Sequence, residues 1–119
     1  MSALPTLDLE AIANLRALSP DDGDVFLREI LNIFIEDTPA RIAELNNSHA
    51  VGNVANFVRA AHSIKGSSSN VGASELRAIA EQLEHHARHN GLAEVEAQVA
   101  ELETAFVRVH DALKMLITN

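Results

Sequence analysis

The composition of this 119-residue chain indicates one small helical domain. Hydrophobic residues make up 47% of the chain, and its length leaves no room for a second core, so we treat residues 1–119 as a single domain. All four aromatic residues are Phe, which disfavours β-sandwich cores. Seventeen acidic side chains against nine Lys and Arg leave a net charge of −8. That field repels nucleic acid, so we expect no nucleic-acid partner.

The chain contains no cysteine, which excludes disulfides, thiol catalysis and cysteine-ligated metal centres. A cysteine-free sequence fits a reducing compartment. It shows no secretory signal, and its apolar runs are far shorter than the roughly 20 residues of a membrane helix. We therefore expect a cytoplasmic, monomeric protein that does not insert into membranes.

The first predicted element is a short amphipathic helix that ends before Pro20. Asp8 is a plausible N-cap, and Leu9, Ile12 and Leu15 fall on one side of the helix. We expect this helix to act as a lid on one end of a larger bundle. Residues 1–6 before it are expected to be flexible.

Four long helices are predicted after the lid, because apolar residues recur at the helical period and Gly52, Gly72 and Gly91 mark turns between them. The apolar positions are Phe26, Ile30, Phe34, Ile42 and Leu45; Phe57, Ala60, Ala61, Ile64 and Val71; Leu76, Ile79, Ala80, Leu83 and Ala87; and Val95, Val99, Leu102, Phe106, Val109 and Leu113. The predicted fold is therefore all-α, an antiparallel four-helix bundle with a short N-terminal lid helix. The first long helix spans roughly Asp22 to Asn47, and Pro39 is expected to kink or interrupt it near Asp37 or Thr38.

The second long helix carries one local conflict with helix propensity, around His62. On a helical wheel Phe57, Ala60, Ile64 and Val71 lie opposite His62, so the imidazole is predicted to point outward. The residues grouped around it are Ala55, Val58, Arg59, Lys65, Gly66 and Ser69. Gly66 costs this helix about 1 kcal/mol against Ala, and three serines follow it. Two interpretations stay open: Gly66 gives a partner access to His62, or it allows another helix of the bundle to pack closely.

The thirteen residues from Ala61 to Ala73, AHSIKGSSSNVGA, resemble the signature of histidine-containing phosphotransfer (HPt) domains, including those that begin the chemotaxis histidine kinases. The surrounding sequence also follows the order of that family. The matching parts are the segment Phe34 to Leu45 with Pro39, the segment Leu76 to Leu83 followed by Glu84 and Arg88, and the segment Leu102 to Leu113. The resemblance covers roughly residues 7–117.

The resemblance implies a phosphocarrier that has no catalytic turnover of its own. It implies His62 as the phosphoacceptor, Glu84 as the group that orients the imidazole, and Lys65 as a cation for the phosphoryl oxygens. The implied partners are response-regulator receiver domains and a sensor histidine kinase. No cofactor is expected on this chain, since the Mg²⁺ of such transfers belongs to the receiver. Glu84 replaces the glutamine of many phosphorelay members and matches the chemotaxis kinases, so a kinase phosphoacceptor domain is an alternative.

The face around His62 is the predicted docking surface for a receiver. It contains Ala55, Val58 and Arg59, with Gly66 and Ser69 providing clearance, and continues onto outward apolar residues of the preceding helix. A helical interaction module without phosphoryl chemistry remains a rival interpretation.

A second group of histidines, His85, His86 and His89, lies near the end of the third long helix. His85 and His89 are one turn apart with Glu81 on the same face, a spacing that can hold zinc or nickel. No fourth strong ligand follows at a fixed offset, and a helix C-terminus favours protonated histidines. The sequence therefore predicts no metal site, and no phosphate-binding glycine loop or nucleophile motif indicates an enzyme.

Overall fold

The computed structural model describes residues 4–117, and this part of the chain contains five helices and no strand. The helices are α1 (Leu9–Ala17), α2 (Val25–Val51), α3 (Val54–Asn70), α4 (Ser74–Asn90) and α5 (Glu96–Ile117). Loops of two to five residues join α2 to α5 in succession, which makes neighbouring helices antiparallel. The predicted all-α bundle is confirmed. None of the five helices combines the length and apolar content that a membrane span requires.

The predicted turns lie where the glycines indicated them. Gly52, Gly72 and Gly91 all have positive φ angles, of 73°, 72° and 72°, a backbone region that glycine enters without a steric penalty. Gly72 also has a packing role, because a Cβ atom there would lie 2.8 Å from the Cβ of Ala11. A side chain at position 72 would therefore push α1 away from the α3–α4 turn.

Helix α1 covers the end of the bundle at that turn, as the lid prediction requires. The Asp8 carboxylate caps α1 by accepting from the backbone N–H groups of Glu10 and Ala11, while the N–H of Asp8 donates to the Gly72 carbonyl at 2.7 Å. Pro5 accepts a hydrogen bond from the N–H of Glu75, so the expected flexible segment 1–6 has an anchor within its described part, and residues 1–3 lie outside the described residues.

The core runs along the inner faces of α2 to α5 and includes one residue of α1, Ile12. Its largest fully buried side chains are Phe57, Leu27, Leu31, Leu45, Ile64, Leu76, Leu83, Leu102 and Leu113, together with Val71, Val95 and Val109. Each such aliphatic or aromatic side chain stabilises the fold by about 1.5–3 kcal/mol relative to an exposed one. Leu9, which we predicted on the apolar side of α1, is instead 68% exposed, because α1 packs on the bundle through Ile12.

Helix α2 differs from its prediction in its bounds and in its buried face. It begins at Val25 and ends at Val51, and it runs through Pro39, so the expected interruption does not occur. Buried Ile35 and Ile42 on either side of the proline anchor the helix to the core, and this packing opposes the cost of about 3 kcal/mol for an internal proline. The core face is centred on Leu27 and Leu31 rather than on Phe26, which is only half-buried.

Candidate functional site

His62 lies in the middle of α3, and its side chain is 61% exposed. The residues predicted to lie opposite it, Phe57, Ala60 and Ile64, are all buried in the core. The outward orientation predicted from the helical wheel is therefore correct. An imidazole in this position is open to a partner protein while its helix stays fixed by the core.

Glu84 of α4 holds the inner edge of the imidazole. The Nδ1 atom of His62 lies 2.9 Å from Oε2 of Glu84, and the glutamate side chain is only 7% exposed. An ionised carboxylate can only accept hydrogen bonds, so Nδ1 carries the proton and donates it to Glu84. In the neutral ring, Nε2 then carries a lone pair and can act as a nucleophile.

Two cations complete the surroundings of Glu84. The Nζ atom of Lys65 lies 2.8 Å from Oε1 of Glu84, and an Nη atom of Arg88 lies 2.7 Å from Oε2. Lys65 therefore contacts the glutamate directly in this structure, in addition to lying one turn from His62. No role was predicted for Arg88 from the sequence, although its position four residues after Glu84 is the spacing of an ion pair on one helix face.

The pKa of Glu84 is lowered from its ordinary value of 4.5. Burial alone would raise the pKa, but the hydrogen bonds from Lys65 and His62 and the positive charges of those groups outweigh it. Glu84 therefore stays ionised at neutral pH despite its burial. A buried carboxylate in that state can both orient the imidazole and offset the positive charge that the ring gains when Nε2 forms a bond.

Gly66 faces open space. A Cβ atom built at this position meets no other heavy atom within 4 Å, and the residue is exposed, as is Ser69 one turn further on. Close approach of another helix of the bundle therefore does not explain this glycine. Of the two interpretations left open by the sequence, access for an external partner is the one compatible with this geometry.

The other predicted docking residues lie on the solvent side of α3. Ala55 and Arg59 are exposed, and Val58 is half-buried. The Arg59 guanidinium donates to the side-chain oxygen of Asn56 at 2.8 Å, which fixes it along the helix. On α2, Ile33 is 62% exposed and borders a shallow groove whose α3 side is lined by Ser67, Asn70 and Val71.

The remaining histidine cluster is separate from these contacts. His86 has its Nε2 atom 2.9 Å from the carbonyl oxygen of Ala93 in the α4–α5 loop, whereas the rings of His85 and His89 lie side by side on the exposed face of α4. Within residues 4–117, no three His, Asp or Glu side chains are placed to hold a metal ion together.

Comparison with known proteins identifies the family. The family model of the Hpt domain matches residues 29–116. The structure of histidine-containing phosphotransfer protein B (HptB) from Pseudomonas aeruginosa PAO1 is 30% identical, with a TM-score of 0.84 and 95% of each chain covered. The HPT domain of a sensor hybrid histidine kinase from Shewanella is 16% identical, with a TM-score of 0.71 over 93% of this chain and 97% of that one, which is a likeness of fold. No curated protein matches the chain.

The chain belongs to the histidine-containing phosphotransfer (Hpt) domain family. It is accordingly a phosphotransfer intermediate of a two-component phosphorelay, and the resemblance stated from Ala61 to Ala73 is confirmed. Domains of this family interact with receiver domains and histidine kinases.

Proposed function

We propose that His62 is the residue that carries the phosphoryl group, and that Nε2 is the atom that bonds to phosphorus. The observation that supports this most directly is the pairing of an exposed imidazole with a buried, ionised carboxylate at 2.9 Å. Glu84 holds the proton on Nδ1, so the lone pair of Nε2 is directed away from the bundle. The other exposed histidines lack such a buried acceptor.

The transfer step is a displacement at phosphorus. The Nε2 lone pair of His62 forms the N–P bond as the P–O bond to the aspartate of a receiver breaks, and the electron pair of that bond leaves with the aspartate carboxylate. The imidazole ring becomes positively charged, and Glu84 stabilises it through the Nδ1–H hydrogen bond. The reverse step passes the phosphoryl group to another aspartate. Phosphorylation by a histidine kinase gives the same product on the same atom.

Lys65 and Arg88 have supporting roles in this proposal. Both hold Glu84 in its ionised form and in position, since each lies within 2.8 Å of one of its oxygens. Lys65 is partly exposed and lies one turn from His62, so its ammonium can also reach the oxygens of a phosphoryl group on Nε2. Loss of the Lys65 side chain should therefore affect both the imidazole tautomer and the stability of the phosphorylated form.

The receiver is proposed to dock over the exposed side of α3 and the adjoining part of α2. Gly66 and Ser69 leave room beside the imidazole, Ala55, Val58 and Arg59 extend the surface, and Ile33 supplies an exposed apolar contact. The open space at Gly66 supports this placement. We infer that the chain is a monomer in the cytoplasm and has no turnover of its own. We also infer that the receiver, and not this chain, binds the Mg²⁺ needed for transfer.

The test is phosphoryl uptake by a His62→Gln variant mixed with a phosphorylated receiver. Glutamine can still donate a hydrogen bond to Glu84, so the fold should be retained while acid-labile label disappears. His85→Gln is the matched control, because it replaces an exposed histidine adjacent to Glu84 and should leave uptake unchanged. Label that persists on the His62→Gln variant, or that is lost from the His85→Gln variant, would contradict the assignment.

A further inference from the structure

His85 and His89 differ from the other histidines in their contacts. All six histidines lie within the described residues, and four of them have a polar neighbour: Glu96 for His49, Glu84 for His62, the Ala93 carbonyl for His86 and Asp111 for His110. His85 and His89 are exposed, and their rings contact each other, with centroids 4.3 Å apart and ring planes inclined by 51°. Two exposed imidazoles one helical turn apart therefore keep their ring nitrogens available to a ligand.

The distance between the centroids of the two rings is close to that of two imidazoles on one metal ion. A metal–nitrogen bond of about 2.0–2.1 Å places each ring centroid about 3.2 Å from the metal. When the nitrogen–metal–nitrogen angle is about 90°, the centroids of the two rings lie about 4.5 Å apart, and at the tetrahedral angle they lie about 5.2 Å apart. The observed centroid distance of 4.3 Å is nearer to the value for a right angle. Copper(II) and nickel(II) adopt such tetragonal arrangements, whereas zinc prefers the tetrahedral one.

We propose that His85 and His89 form a two-histidine binding site for Cu²⁺ or Ni²⁺, with water in the remaining coordination positions. Glu81 does not complete it, because its carboxylate is 3.3 Å from the guanidinium of Arg77 and pairs with it along α4. No third His, Asp or Glu side chain within residues 4–117 is placed to complete the site. The site is independent of the phosphotransfer function.

Binding of Cu²⁺, Ni²⁺ and Zn²⁺ to the purified full chain, measured by calorimetric titration, tests this proposal. We expect one Cu²⁺ per chain, with Cu²⁺ bound more tightly than Ni²⁺ and Zn²⁺. His85→Ala and His89→Ala should each weaken binding by tenfold or more, since even supporting groups of metal sites cost about 10–100-fold when removed. His49→Ala and His110→Ala are the matched controls and should retain the affinity. The metal should also raise the Tm of the unmodified chain, because it links two residues of the folded helix.

The same variants identify the outcomes that would overturn the proposal. Circular dichroism of His85→Ala and His89→Ala should show the helical content unchanged, since both side chains are exposed. Equal affinities of these variants and the unmodified chain would place the ion elsewhere. A loss of binding in His62→Gln, with His85→Ala unaffected, would assign the ion to the proposed phosphoacceptor instead. Tighter binding of Zn²⁺ than of Cu²⁺ and Ni²⁺ would contradict the assignment of the site to those two ions.

Discussion

The side chains of His62 and Glu84 meet at 2.9 Å although the residues are 22 positions apart in the chain and belong to different helices. Their burial is opposite, since His62 is 61% exposed and Glu84 is 7% exposed. The contact therefore joins the exposed face of α3 to a buried charge that water cannot readily screen. In the proposed function, one imidazole nitrogen of His62 is left for phosphoryl transfer and the other orients the ring.

Replacing Glu84 by Ala should slow phosphoryl uptake by one or two orders of magnitude, in the range for supporting groups in proton and metal chemistry. The substitution removes the acceptor of the Nδ1–H bond, so the ring can adopt either tautomer. Glu84→Gln is the matched control, because its side-chain oxygen still accepts that hydrogen bond, and it should retain more of the rate than Glu84→Ala. Uptake rates and nitrogen NMR of the imidazole test this prediction, and an unchanged rate or tautomer in Glu84→Ala would contradict it.

Replacing Gly66 by Gln should preserve or raise the Tm and reduce phosphotransfer from a receiver. The helix gains up to about 1 kcal/mol from any residue with better propensity than glycine, and the Cβ position is unobstructed. The larger side chain, however, stands one turn from the imidazole, where the aspartyl phosphate of the receiver has to approach. Thermal unfolding and transfer rates measured on one preparation test both effects.

Gly66→Ala provides the control for this experiment, since it brings the gain in helix propensity with little added bulk. A small-molecule phosphodonor needs less room than a receiver and should be affected much less by Gly66→Gln. A lower Tm for Gly66→Gln, or equal losses with both donors, would mean that the glycine serves packing and not access.

The stability contributed by Glu84 should be lost at acidic pH. Its folded-state pKa lies below the ordinary 4.5, so the folded chain binds this proton less readily than the unfolded chain does. The contribution is therefore fully present above pH 4.5 and declines as the pH falls through the folded-state pKa. A comparison of the unmodified chain with Glu84→Gln by denaturant unfolding below a pH of about 5 measures this effect, because every group that lowers the Glu84 pKa is then still in place.

The difference in unfolding free energy between the unmodified chain and Glu84→Gln should shrink as the pH falls from about 5 through the folded-state pKa of Glu84. A difference that grows on acidification would show that the pKa of Glu84 is raised and that burial outweighs the cations around it.

Much of the fold was predictable because helix formation leaves a local trace in the sequence. The apolar period of 3.6 residues indicated four long helices, and Gly52, Gly72 and Gly91 marked the turns between them. The buried face was predicted wrongly in α2, where one helix has more than one apolar face. Helix α2 carries Phe26 and Ile30 as well as Leu27 and Leu31, and the pattern alone did not distinguish the buried pair from the half-buried one. Pro39 does not interrupt α2, because packing of the neighbouring residues opposes the local cost of the proline.

The sequence by itself determined that His62 points outward, because the opposite side of the same helix is continuously apolar, and the resemblance to Hpt domains nominated Glu84 and Lys65. Only the tertiary structure decided that Glu84 contacts His62, that Lys65 and Arg88 both pair with that glutamate, and that no neighbour occupies the space at Gly66. Periodicity describes one helix at a time. The contacts between α3 and α4 depend on the rotation and register of both helices, which are set by the packing of the whole core.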